Sequence, residues 1–280
     1  MFKNDDIDES KIDPSLLYFH GSNNGKITKF RPPSPERPLF VTADIDYANA
    51  YLDAVSVNGR SKFNEDKDPG KVYMMSLNPD KINLFNATKQ SDIDKLEGVW
   101  PKYIIDSISK KEWSIWSIFK WIVPFLHKYY CDFDKDPRKL KAYLEKEQVK
   151  DEFGISELVF GIEEIDVMYG DKLEPVFKQN KGKDSKEAEW DELFFIIKIF
   201  NMSLVELGFN AFLNIEHVGN TKTDKAIGLF SPDCLDSLTP TPLDGETVKK
   251  IINDLDKSLE LKDYSTLKKM RTVYKKSKSA

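Results

Sequence analysis

Cysteine is scarce in this chain, charge of one sign is not in large excess, and no apolar run is long; each shortage removes a class of protein. Only Cys131 and Cys234 occur, outside any CxxC or Cys/His cluster, so neither a disulfide framework nor a structural zinc site is expected. A reducing, cytoplasmic setting fits that usage. The three histidines, His20, His127 and His217, are too scattered for a metal motif, and no metal is expected. Lys and Arg (42) nearly balance Asp and Glu (47), and a net charge of -5 favours solubility without naming a partner. The opening Met1-Phe2-Lys3-Asn4-Asp5-Asp6 is acidic, so no export signal is expected there. The most apolar stretch, residues 113–126, is shorter than the ~18 to 20 residues of a membrane span and holds Lys120 and Pro124. It is read as a buried helix kinked near Pro124, with no membrane partner. GxGxxG, GxxxxGK[ST] and GxSxG are all missing, which argues against Rossmann, P-loop and nucleophile-elbow sites.

What is present is a globular chain, 280 residues long and 40% apolar, enough to bury a sizeable core. The first third reads as short strands and loops. Residues 16–20 form an apolar run broken by Gly21, Asn23, Asn24 and Gly25, and four prolines follow within 31–38. Residues 39–42 have strand character, 44–54 read as a short helix, and 59–70 as a polar loop. Two strands, 71–77 and 82–85, flank a turn at Asn78-Pro79. From about residue 91 the period becomes helical, with amphipathic segments at 103–110, 139–147, 156–169 and 188–206 and a lysine-rich loop at 179–186. Strand character returns at 211–215 and 226–230 around Gly219-Asn220-Thr221, a hairpin pattern. Val248, Ile251, Ile252, Leu255 and Leu259 then recur at helical spacing behind a cap at Asp244. The tail from Lys268 is basic and reads as a solvated end.

The expected organisation is therefore α+β: a split mixed β-sheet core whose first half is residues 1–90, a mainly helical insertion at 91–207, a C-terminal core hairpin at 208–240, and a C-terminal helix with basic tail at 241–280. One ordered series stands out against that background. Leu17-Tyr18-Phe19-His20-Gly21-Ser22 is followed by a proline-rich loop, by Pro38-Leu39-Phe40-Val41-Thr42-Ala43-Asp44, by Ala48-Asn49-Ala50-Tyr51, and by the strand Lys71-Val72-Tyr73-Met74-Met75-Ser76-Leu77. Any one of these aromatic residues alone reads as core packing, and a lone histidine as a packed or capping residue. Their order carries the signal.

The series resembles the ADP-ribosyltransferase superfamily, in the branch of poly(ADP-ribose) polymerases and diphtheria-toxin-like enzymes that includes many bacterial and phage proteins. The resemblance covers roughly the first 85 residues and, more faintly, residues 207–238. It implies an enzyme, a mono-ADP-ribosyltransferase that consumes NAD as substrate, releases nicotinamide and modifies a macromolecular acceptor. That acceptor is a protein in the first instance, with nucleic acid left open. It further implies that His20 hydrogen-bonds the adenosine ribose, that the Gly21 backbone meets the nicotinamide amide, and that Tyr51 stacks on the nicotinamide ring. Ser22 and Thr42 fall in the same two strands, and Phe40 takes the position of the family's strand tyrosine. The residue types are chemically suited to these roles. Imidazole can donate or accept at a ribose hydroxyl, glycine admits close backbone approach, and an aromatic face fits a flat pyridinium.

One position departs from the pattern. The family's usual glutamate slot falls near Ala226, and the acids that could replace it, where a bulge changes the register, are Asp224, two residues earlier, and Glu216 on the partner strand. Two other readings follow. The chain could be a catalytically inactive member of the fold serving as an interaction module. It could also perform RNA 2'-phosphate transfer, which the few arginines of the first strands, Arg31, Arg37 and Arg60, disfavour.

Overall fold

The computed structural model describes residues 17–22, 24–49, 52, 70–110, 114–183, 185–218 and 222–260. Tyr51, the polar segment 59–69, Trp113, the 219–221 turn and the basic tail lie outside the described residues.

In chain order the elements are β1 (Tyr18–Ser22), β2 (Leu39–Val41), a helical turn α1 (45–49), β3 (Lys71–Met75) and β4 (Leu84–Phe85). The helices α2 (Gln90–Ile93), α3 (Lys102–Ser109), α4 (Ile115–His127), α5 (Pro137–Lys146), α6 (Ile155–Asn180) and α7 (Ser185–Glu206) follow. The chain closes with β5 (Ala211–Val218), β6 (Lys222–Leu229), β7 (Thr241–Leu243) and α8 (Gly245–Glu260). This is an α+β chain with two small sheets, and it divides into two compact units: residues 1–85 with 209–280, and residues 86–208. Among the described residues no helix is long and apolar enough to cross a membrane.

The first unit holds both sheets, in the orders β1-β3-β7 and β2-β6-β5-β4, antiparallel except for the parallel β4/β5 pair. Tyr18, Tyr73 and Met75 of one sheet share a core with Leu39, Val41, Leu213, Ile227 and Leu229 of the other. The opposite face of the first sheet carries Leu17, Phe19 and Val72, which pack with Ile45 and Ala48 of α1 and Val248 and Ile251 of α8. Burial on both faces explains why β1 reads as a continuous apolar run and not as an alternation. Asp44 caps α1 by accepting from the Asp46 and Tyr47 amides, and Asp244 caps α8 by accepting from Thr247 N. β7 carries Pro242 and lies at the edge of its sheet, where a missing N–H is tolerated.

Among the described residues the two sheets are joined by an antiparallel bridge: Phe19 N donates to Thr42 O (2.7 Å) and Thr42 N to Phe19 O (2.9 Å). The expected Asn78-Pro79 turn is a short 3-10 turn, Pro79–Lys81, between β3 and β4.

The second unit is helical. Trp100, buried to 1%, sits among the rings of Phe119, Tyr169 and Phe200, and its Nε1 donates to Ser203 Oγ at 2.7 Å. α3 lies close against α6 because Gly161 has no side chain; a Cβ there would come within 2.6 Å of Tyr103 Cβ. α4 differs from its expected form in its burial: Lys120 and Pro124 are exposed, so it is buried on one side only. It continues through Pro124 into a π turn, Lys128–Asp132. Proline removes the amide that would bond the Lys120 carbonyl, a site where exposure to water limits the cost. α6 likewise continues through the exposed Pro175, so it runs well past the expected 156–169. Of the loop expected at 179–186, residues 179–180 belong to α6 and 185–186 to α7.

Candidate functional site

The bridge between the sheets sets the geometry around His20. Next to Phe19 in β1, His20 lies alongside β2, and its Nδ1 is 2.8 Å from the Phe40 carbonyl oxygen. A carbonyl can only accept, so Nδ1 carries the proton and Nε2 of the neutral ring is left as an acceptor. Burial pulls the His20 pKa below the ordinary imidazole value, and the Phe40 carbonyl opposes that shift without reversing it. The residue as a whole is half-buried. In this arrangement His20 offers a hydroxyl one acceptor, because its donor is already used. That is narrower than the paired donor and acceptor expected of a free imidazole.

The neighbours of His20 are aromatic. Phe30 meets its ring edge-on at 5.3 Å, and Tyr73, the Cα partner of His20 across β1/β3, meets Phe30 at 5.9 Å. Phe30 and Tyr73 carry no sequence signal of their own, since each reads as a core aromatic. Only strand pairing brings Tyr73 opposite the histidine.

The other residues of the ordered series fall as follows. Gly21 is buried in β1 opposite Val72. Ser22 Oγ accepts from Asn24 N at 3.1 Å and so closes the turn after the strand. Phe40 is half-buried in β2 as the partner of Gly228, with its ring edge-on to Phe212 at 5.8 Å. Thr42 is buried, and its Oγ1 accepts from Asp44 N at 3.0 Å, a local bond leading into α1. The structure therefore brings His20, Gly21 and Phe40 together and turns the Ser22 and Thr42 hydroxyls to local capping. Tyr51 lies outside the described residues.

Ala226 is 2% exposed in β6, the Cα partner of Asn214. Two residues along, Asp224 and Glu216 are direct Cα partners in the β5/β6 hairpin, whose pairing runs one-to-one from Ala211/Leu229 to Val218/Lys222 without the bulge expected to bring an acid into the Ala226 slot. The two alternative acids thus occupy one rung of the ladder, a relation that the sequence spacing alone did not reveal.

The two thiols stand apart from this chemistry: Cys131 and Cys234 are both buried, and burial pushes their pKa up, which keeps them protonated. Among the described residues no group of three or more His, Cys, Asp or Glu could hold a metal ion.

Comparison with known proteins adds no relative: no family model, no curated protein and no solved structure matches the chain.

Proposed function

We propose that the protein is an NAD-consuming mono-ADP-ribosyltransferase. It would break the bond between nicotinamide and ribose, release nicotinamide, and join the ribose carbon to a nucleophile on a macromolecule, whose proton is given up. The observation that carries this reading is the His20 imidazole, held by the Phe40 carbonyl as an Nε2 acceptor beside Gly21 and the half-buried Phe40. A ribose hydroxyl would donate to Nε2, the Gly21 backbone would meet the carboxamide, and Tyr51 would stack on the pyridinium ring. Bond cleavage develops positive charge on the ribose, and an acid near that carbon is worth more than one in bulk water. The facing positions Glu216 and Asp224 are the candidates for it. The helical unit would select the acceptor, in the first instance a protein.

A second reading rests on a separate observation. Ala226, near which the resemblance puts the family's glutamate slot, is 2% exposed and carries no acid, which favours a catalytically inactive module of the same fold.

One experiment separates the two. Purified protein is incubated with labelled NAD and cell extract, and nicotinamide release and label transfer are followed beside His20→Ala, Asp224→Ala and Glu216→Ala. On the first reading His20→Ala weakens NAD binding about tenfold, the worth of one well-placed hydrogen bond in a partly buried site. One of the two acid variants then abolishes transfer. Binding without turnover selects the inactive module, and absence of NAD binding rules out the transferase.

A further inference from the structure

The residue opposite His20 does more than fill the core. Tyr73 is fully buried, and its Oη donates to Asn24 O at 2.7 Å while accepting from Ile27 N at 3.0 Å. Asn24 and Ile27 are the first and last residues of the turn that follows β1, and in an ordinary four-residue turn that carbonyl and that amide bond each other. Here a phenol reaching from the third strand bonds both groups. One hydroxyl ties the two ends of the turn to the sheet, and a phenylalanine would fill the same core volume without doing this.

The position of that turn matters for His20. The chain leaves His20-Gly21-Ser22, passes through the turn, and returns with Phe30 seated edge-on against the His20 ring. Asn24 is exposed and Gly25 buried, so the segment forms a wall with one side in solvent. Two further bonds hold the turn: Asn24 N donates to Oγ of Ser22, the last residue of β1, at 3.1 Å, and Lys26 N donates to Asn24 Oδ1 at 3.0 Å. Beyond the turn Phe30 N donates to Leu238 O at 2.8 Å. Tyr73 adds an anchor to the middle strand of the sheet, 46 residues from Ile27.

We infer that Tyr73 is a positioning residue for the nucleotide site: its hydroxyl fixes the 24–27 turn, and through Phe30 the wall beside the His20 ring, in the form that receives NAD. This rests on the transferase reading above. Without the hydroxyl, Asn24 O and Ile27 N lose their tie to the sheet, and the turn is held less firmly beside the His20 ring.

The test compares wild type, Tyr73→Phe and Met75→Val, the last a buried core change on the same strand with no bond to the turn. Amide exchange is followed at Ile27 and along β1 and β3, NAD affinity by calorimetry, and turnover at saturating NAD. For Tyr73→Phe the Ile27 amide is expected to exchange at least about tenfold faster while the strand amides keep their protection, which shows the fold intact. NAD affinity falls about tenfold, with turnover at saturation within about twofold of wild type. Met75→Val is expected to lower the melting temperature without changing affinity. Unchanged Ile27 exchange, unchanged NAD affinity in Tyr73→Phe, or an equal loss of affinity in Met75→Val overturns the role given to Tyr73. A wild type that binds no NAD overturns the transferase reading instead, and the Ile27 exchange rate then decides whether Tyr73 holds the turn.

Discussion

The two units of this protein each hold a half-buried histidine on a short hydrogen bond, and they put it to opposite use. In the sheet unit His20 Nδ1 faces a backbone carbonyl, a partner that can never take or lose a proton, and burial keeps the ring neutral. In the helical unit His127 Nδ1 lies 2.8 Å from Oε1 of Glu192, a side chain 1% exposed, and the hydrogen bond to that carboxyl raises the His127 pKa against the opposing effect of burial. The balance of burial and partner decides which form of the ring the fold prefers: burial outweighs the carbonyl at His20, and the carboxyl outweighs burial at His127. Linkage then gives the two units opposite responses to pH. The His127 contribution is complete below the unfolded imidazole value, about 6.5, and is lost as pH rises through the raised folded pKa. The His20 contribution is a penalty, absent above the unfolded value and growing as pH falls below it, because the unfolded chain takes the proton more readily.

The largest expected effect tests this contrast directly. His127→Ala leaves the Glu192 carboxyl buried without its partner and should destabilise the helical unit by about 2–3 kcal/mol, toward the lower end for a broken buried pair because His127 keeps some solvent contact. It should also remove the alkaline loss of stability. The measurement is convenient, because all five tryptophans lie within 86–208 and their fluorescence follows that unit alone. Urea titrations between about pH 6 and 9 would show a sloping midpoint in wild type and a flat one in the variant. A wild-type midpoint that does not move over that range would remove His127 as the cause.

The next effect, somewhat smaller, belongs to the sheet unit. Gly228 lies between Phe40 and Phe212 in the β2-β6-β5 ladder, and a Cβ on it would fall 2.1 Å from Phe212 Cε1. The Phe212 ring, stacked on Phe230 at 5.3 Å and meeting Phe40 edge-on, uses the space a side chain would take. Gly228→Ala should cost about 2 kcal/mol through overpacking. Tryptophan fluorescence should miss most of that loss, while amide exchange in β5 and β6 should report it. Equal loss by both probes would mean that the two units unfold as one and that the contrast between them is structural only.

The same contrast shows what a sequence can disclose. Elements whose burial leaves a periodic trace were legible: the apolar run of β1, the strand at β2, the amphipathic α6, and the Asp244 cap of α8, whose acceptor role shows in the bond from Thr247 N. Their ends were less so, because exposed Pro175 interrupts the pattern of α6 without interrupting the helix. β7 was missed for the converse reason: Pro240 and Pro242 argue against a strand, and only an edge position makes one acceptable. At the candidate site the type of residue was legible at His20, Gly21 and Phe40, but not the partner that fixes its state. A backbone carbonyl has no letter in the sequence, and so the bond that sets the His20 tautomer leaves no pattern to read. The bonds of Tyr73 to the turn and of Glu192 to His127 span 46 to 65 residues, and at that separation only the folded chain shows which pairs meet.

The smallest effect returns to the helical unit and asks whether its buried polar groups act as pairs or as isolated bonds. Trp100 Nε1 donates to Ser203 Oγ, and that hydroxyl donates onward to Phe200 O at 2.7 Å, so one oxygen satisfies a buried indole while itself being held. Ser203→Ala removes the acceptor and leaves the indole N–H inside a cluster of aromatic rings, at an expected cost of about 1–2 kcal/mol. Neither partner titrates near neutrality, so this loss should be the same from pH 6 to 9, unlike the loss at His127. Trp100→Phe on the Ser203→Ala background closes a double-mutant cycle. A coupling near zero would mean that the indole finds another acceptor, and that the two groups contribute as isolated bonds and not as a pair.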